Sequence, residues 1–364
     1  MQKKETPLNQ PIDKRTTKQT EIAARRQNLS AKKQALLNKW QQKKVNGANG
    51  SQHIPQRTNN QSIPLSFAQQ RLWFLEQFNA QTDVSYNIPI HINIQGALDI
   101  EALEYGLNQL LQRHEILRTR YITAEDGVPY QEIMPFTAVS LLYLDLSHLP
   151  PDKREAAAFQ HRQQEGQTPF ALETGPIYRI QVLRLEAEYH QLLFTIHHIA
   201  FDMWSTDVFL REIIAHYLHK TTGFLPTLPD ATVQYADYTV WQQTRLTPEV
   251  METELAFWRD HLSQAPAAIN LPIDKPRPLR QTTNGDLHVF TIPAEIANKV
   301  TQWTQAEQVT LYMTLLTAFN GLLYRYTHQE NIVVGTPIAN RNHPDLKKYR
   351  RLLHQYFGAV YPYR

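Results

Sequence analysis

A short apolar run, Leu192-Leu193-Phe194-Thr195-Ile196, ends in two adjacent histidines, and it constrains the fold more than any other stretch of the chain. A partly β-branched run of this length reads as a strand buried on both faces. Successive strand residues point to opposite faces, so only one of His197 and His198 can look into a given cavity. Asp202 follows four residues after His198, and Ser205 is placed to cap a helix carrying Val208, Leu210, Ile213 and Ile214. The unit is therefore strand, short loop and helix, with a His and an Asp gathered near a positive helix end. A neutral imidazole there can accept a proton from an amine, because its unperturbed pKa is about 6.5. Two histidines on an apolar strand can equally be satisfied core residues, and the Asp can simply neutralise an Arg. Spacing alone leaves both readings open.

The surrounding chain mixes strands and helices irregularly. Ser66 and Gln69 have capping-box spacing, which predicts a helix from Phe67 to about Phe78. Pro89 to Gln95 alternates as a strand, and Asp99 caps a helix with Leu103, Leu107, Leu110 and Leu111 on one face. Strands are expected from Leu117 to Tyr121 and from Tyr130 to Met134, and a helix over 152–164. The strand Tyr178 to Leu185 should form a hairpin with the His-His strand through the turn at Glu186 to Glu188. A helix runs from Ser205 to Lys220, and the Gly- and Pro-containing stretch 223–229 marks a lobe boundary. Beyond it an aromatic-rich segment from Tyr235 leads into a helix ending near Leu262, and an extended stretch over Leu271–Pro278 follows. A strand over His288–Ile292, helices over Ala294–Gln308 and Leu311–Tyr326, and a strand over Asn331–Pro337 complete the reading. Such a mixture implies α/β sandwich lobes rather than a regularly wound sheet.

The 364 residues suit two lobes, 63–230 and 231–364, after a leader over 1–62. That leader is basic and polar, with helices expected at 21–28 and from Ser30 to about Lys44 and a linker from Val45 to Ser62. It reads as a docking element for another chain or as a passive leader. The absence of cysteine removes disulfides and thiolate catalysis, and no metal-ligand spacing of the HExxH type occurs. Neither a signal core nor an apolar run of ~18 residues is present, so a cytoplasmic chain without a membrane partner is expected. Nucleic acid is not counted among its expected partners.

Several motifs recur in an order that resembles the condensation domains of non-ribosomal peptide synthetases. They are Ser66, Ala68-Gln69, Arg71-Leu72-Trp73 and Leu75; Tyr86-Asn87-Ile88-Pro89; and Arg113-His114-Glu115 with Leu117-Arg118-Thr119. His197-His198 with Asp202, then Tyr235, Asp237-Tyr238 and Val240-Trp241, and lastly Val334-Gly335-Thr336-Pro337 with Asn340-Arg341 continue the series over residues 63–341. The resemblance implies two chloramphenicol-acetyltransferase-like α/β sandwich lobes facing each other across a tunnel. Carrier proteins would bring a donor thioester to one mouth and an acceptor amine to the other. No cofactor is then bound directly, since the phosphopantetheine arm arrives with the carrier, and other synthetase modules could dock through residues 1–62.

In that frame His198, the second histidine, is the catalytic candidate. His197 faces the core, and Asp202 is structural, paired with Arg118. Met203, Trp204 and Ser205 lie near the tunnel. Two departures stand out. The family has Gly where this chain has Met203, whose side chain would narrow the tunnel, while Trp204-Ser205 favours the peptide-bond-forming branch over epimerisation domains. Beyond Asn340-Arg341 the family-like pattern stops, and the segment from Leu346 to Arg364 contains no acid. The expectation is a C-terminally truncated, frame-shifted chain with an incomplete second lobe. The resemblance implies amide-bond formation, with a non-catalytic carrier-binding module or a free-standing thioester-dependent acyltransferase as the alternatives.

Overall fold

The structure, a computed structural model, describes residues 53–58, 62–79, 84–224, 227–276, 288–336 and 343. The chain divides into units 1–53 and 54–364, and of the first unit only His53 is described. The helices expected in the leader, the Asn340-Arg341 pair and the segment 346–364 lie outside the described residues.

Two sheets organise the second unit. The smaller contains β1 (Ile63–Pro64), β4 (Pro129–Ile133) and β3 (Thr119–Thr123), all antiparallel. The larger has the order β2 (Asn87–Gln95), β7 (Tyr189–His197), β6 (Tyr178–Glu186) and β5 (Leu142–Asp145). Strand β7 is central and runs antiparallel to both neighbours, with His197 opposite Asn87 and Ile196 opposite Tyr178. Its residues are buried from His190 to His197, as the apolar run predicts. On one face Leu192, Phe194 and Ile196 join the main core beneath α2 (Ile100–Arg113) and α4 (Met203–Thr222). On the other, Leu193 packs with Leu183, Leu185 and Ala158 of α3 (Pro151–Gln167).

Local rules account for most of the elements. Helix α1 (Phe67–Asn79) starts in the expected box, with the Ser66 amide donating to Gln69 Oε1 at 2.9 Å and the Gln69 amide to Ser66 Oγ at 3.1 Å. Asp99 accepts from the Ala102 amide and starts α2, whose four predicted leucines are all buried. Gly106 lets α2 approach α4, because a Cβ there would meet the Ile213 carbonyl oxygen at 3.0 Å.

Several expectations are corrected. Leu117 is not the start of a strand: Glu115–Arg118 is a 3-10 turn, held by the Leu117 amide on the His114 carbonyl. The aromatic-rich segment from Tyr235 is itself a helix, α5 (Tyr235–Arg245), and the helix expected to end near Leu262 is separate, α6 (Pro248–His261), because Pro248 has no amide to continue a helix and opens a new one. Residues 288–292 and 331–336 form no strand, since among the described residues neither segment finds a ladder partner. Packed structure begins at Ile54, within the stretch read as linker. Ile54 is buried, and Arg57 pairs with Glu115 at 2.9 Å and Asp237 at 3.0 Å. Beyond residue 230, α5 packs on β1 and the 3-10 turn, whereas α6, α7 (Ala294–Ala306) and α8 (Leu311–Thr327) expose most of their apolar side chains.

Candidate functional site

The loop leaving β7 is wound tightly by main-chain bonds. The His198 amide donates to the Tyr86 carbonyl at 2.8 Å, which extends the β2–β7 ladder by one residue. The Ala200 amide donates to the His197 carbonyl at 3.1 Å and the Phe201 amide to that of His198 at 3.4 Å, so two overlapping turns reverse the chain. Phe201 anchors the far end. It is fully buried, its ring 5.6 Å from that of Phe194, which in turn stacks on Phe209 at 4.3 Å.

The two histidines divide as strand alternation requires. His197 is buried, its ring beside those of Phe170 and Tyr86 at 6.3 and 6.2 Å. His198 is half-buried, with Nδ1 2.6 Å from the Phe201 carbonyl oxygen. A carbonyl only accepts, so Nδ1 holds the proton and the lone pair of the neutral ring lies on Nε2. Burial lowers the His198 pKa below the ordinary imidazole value, although the Phe201 carbonyl and the Asp202 charge act in the opposite direction. A neutral ring near pH 7 with a basic Nε2 is what proton abstraction from an amine needs.

Asp202, not Ser205, is the N-cap of α4. Its Oδ1 accepts from the Ser205 amide at 2.8 Å and from Ser205 Oγ at 2.5 Å, while its own amide donates to Ser205 Oγ at 3.2 Å. Ser205 is therefore the third helical residue of a reciprocal box, fully buried rather than facing an open passage. The expected Arg118–Asp202 ion pair does not form. Arg118 closes the 3-10 turn, and its Nη1 donates to the Met134 carbonyl at 2.5 Å across the β3–β4 pair. Met203, at the first helical position, has an ordinary negative φ and is 80% exposed, and Trp204 is also exposed. No positive φ makes glycine necessary at 203.

Three of the other motifs make structural contacts among the described residues. Tyr235 Oη lies 2.7 Å from Ser66 Oγ, the Phe67 amide donates to Gln242 Oε1 at 3.2 Å, and the Gln234 amide to Asp237 at 2.7 Å. The opening motif and the Tyr-Asp-Tyr motif are thus one joint, clamping α5 to the start of α1. His114 Nε2 lies 2.7 Å from the Glu212 carboxylate in the α2–α4 interface. Sequence reading missed Glu76, which is buried on α1 with Oε2 3.7 Å from His197 Nε2. The available signal was an acid on the same helical face as Leu72 and Trp73. Among the described residues no group of three or more His, Asp or Glu stands close enough to hold a metal, and no helix is long and apolar enough to cross a membrane.

Comparison with known proteins bears on the family and the fold. A family model described as the condensation domain matches residues 59–350. A linear gramicidin synthase protein of Brevibacillus parabrevis is 45% identical over 280 residues, 77% of this chain and 5% of that protein. Phosphinothricin tripeptide synthetase PhsC of Streptomyces viridochromogenes is 38% identical over 294 residues, 80% of this chain and 27% of that protein. The chain thus spans only a small part of the curated relatives it matches. Among solved structures, the X-domain complexed with OxyB from teicoplanin biosynthesis superposes with a TM-score of 0.71 at 25% identity, covering 85% of this chain and 66% of that one. The first condensation domain of the CDA synthetase has the same fold, with a TM-score of 0.63 at 21% identity over 84% of this chain and 70% of that one.

Proposed function

This chain belongs to the condensation-domain family of non-ribosomal peptide synthetases, and we propose that it joins an acyl donor and an aminoacyl acceptor into an amide, with His198 as the catalytic residue. The donor is an aminoacyl or peptidyl thioester carried on the phosphopantetheine arm of one carrier protein, and the acceptor is held on a second. The acceptor nitrogen attacks the thioester carbonyl carbon, giving a tetrahedral species anionic at oxygen and cationic at nitrogen. His198 Nε2 takes a proton from that nitrogen. The C–S bond then breaks, the amide forms, and the thiolate leaves to be protonated as the free pantetheine thiol. The observation that carries this reading is the Nδ1 contact with the Phe201 carbonyl oxygen, which directs the lone pair to Nε2 in a half-buried ring of lowered pKa.

Asp202 is assigned a structural role, because its carboxylate is committed to the start of α4. Met203 and Trp204, exposed on the first turn of that helix, are assigned to the substrate passage. The test is a condensation assay with two loaded carrier proteins, comparing the wild-type chain with His198→Ala. A fall in turnover of at least about 100-fold with unchanged thermal stability is expected, the usual size of a general-base contribution.

A second reading is a non-catalytic module that binds other proteins. It is favoured by the likeness to the X-domain solved in complex with OxyB. On that reading His198→Ala leaves carrier-protein binding unchanged and the wild type shows no turnover, so the same assay separates the two.

A further inference from the structure

The first histidine of the pair has one nitrogen whose state the backbone dictates. The Ile199 amide donates to His197 Nδ1 at 3.1 Å. A nitrogen that accepts a hydrogen bond carries no proton, so the His197 ring is neutral and its proton sits on Nε2. That Nε2 lies 3.7 Å from Glu76 Oε2 on α1, too far for a short hydrogen bond, and among the described residues neither atom has another partner. His197 is 2% and Glu76 8% exposed. A carboxylate buried this deeply needs a positive dipole facing it, and the Nε2–H of His197 supplies one.

We propose that Glu76 is a positioning residue, which holds His197 in the Nε2–H tautomer and thereby keeps the turn that presents His198. The turn needs Nδ1 as an acceptor for the Ile199 amide, beside the bond from the Ala200 amide to the His197 carbonyl. Without the carboxylate, the tautomer protonated on Nδ1 loses the share of its penalty that comes from an Nε2 lone pair facing Glu76, and only the Ile199 amide still opposes it. Its N–H would then oppose the Ile199 N–H, donor against donor, and the Ile199 end of the turn must shift. His198 sits inside that turn and its Nδ1 contact depends on where the Phe201 carbonyl lies. A displacement of about 1 Å at a reacting group costs up to ~100-fold in rate. Glu76 touches neither substrate nor His198 and acts only through His197.

The activity arm of the test rests on the condensation reading; the spectroscopic arm does not. The full chain, with histidines labelled with nitrogen-15, is examined by long-range proton–nitrogen correlation, which separates protonated from unprotonated ring nitrogens. Wild type is expected to show His197 protonated on Nε2. Glu76→Leu is expected to populate the Nδ1-protonated form and to lower kcat on the order of 10-fold with an unchanged KM for the acceptor. Glu76→Gln, whose amide oxygen can still accept, restores both the tautomer and kcat. A folded Glu76→Leu protein with the wild-type tautomer overturns the proposal, whatever its turnover. Should the leucine variant fail to fold, a proton on His197 Nδ1 in the wild type, or a Glu76→Gln protein that shifts the tautomer, does the same. Absence of wild-type turnover removes the condensation reading and leaves the tautomer comparison decisive.

Discussion

Helices α4 and α8 are alike in length, capping and apolar content and unlike in their surroundings. Each is long, 20 and 17 residues, and each starts on a side-chain cap, Asp202 accepting from Ser205 and Thr310 from Met313. Each is rich in apolar residues. Yet α4 buries Val208, Phe209 and Ile213 against α2, whereas of α8 only Asn320 is buried, and Leu315, Phe319 and Leu322 stand about half exposed. Caps and propensity are local properties and make both helices. Burial depends on what lies opposite, and among the described residues only α4 has an apolar layer to meet it.

The largest expected effect tests this contrast directly. Leu107→Ala should cost about 2–5 kcal/mol in chemical denaturation, because the side chain is fully buried between α2 and the sheet. Leu315→Ala should change stability by no more than about 0.5 kcal/mol. Equal costs would mean that α8 is packed in solution and would erase the contrast. Next in size, Asp202→Ala should cost about 1–2 kcal/mol, since it removes the cap that two Ser205 donors share. Asp202→Asn, which keeps an acceptor oxygen, should recover most of that loss. The corresponding Thr310→Ala change, in a helix with little buried against it, should cost less in the global transition.

Acid should also separate the two regions. Burial lowers the pKa of His198, His91 and His216, all of which precede residue 231. On α6, by contrast, the lowered group is Glu249, an exposed acid bonded to the Thr247 side chain. A histidine with a lowered folded-state value binds its proton more readily when the chain is unfolded. It therefore contributes stability above the ordinary imidazole range, lost as pH falls through the lower folded value. Melting temperatures should accordingly drop on acidification below about pH 6.5. Turnover should fall further into acid, by about tenfold per unit below the lowered His198 value, as the base is protonated. Activity unchanged under acid conditions would remove His198 as the base. A small effect, within about 1 kcal/mol, is expected for Met203→Gly, because the residue is exposed and has helical backbone angles.

The parts legible in the sequence were those determined within a few residues. The Ser66–Gln69 box, the Asp99 cap, the leucine face of α2 and the apolar His-His strand all follow from contacts inside one element. The failures concern partners distant in sequence or competition between local options. Residues 288–292 have a strand-like pattern but, among the described residues, no ladder to join. Strand β5 escaped notice because it is four residues at a sheet edge, mostly exposed, with no alternation to detect. Serine suits the cap position, which points to Ser205, but Asp202 suits it too, and their mutual bonds put the Asp first. At the candidate site, spacing drew attention to both histidines and the Asp, but the choice of His198 rested on the order of motifs along the chain. Glu76 could not be tied to His197, since the two are far apart in the chain and meet only when α1 lies over the end of β7.

The reciprocal box at Asp202 and Ser205 has a further consequence, for how this region breathes. Helix α4 begins in the same four residues that end the histidine loop, and its first turns are packed into the core. The loop therefore cannot open by itself: freeing His198 from its turn means unravelling the start of a helix that the core holds down. Amide protons from His197 to Ser205 should then exchange with solvent nearly as slowly as those of β7, and proteases should find no nick site there. On the proposed function, motion that admits substrate comes from elsewhere in the molecule, with His198 serving as its fixed point.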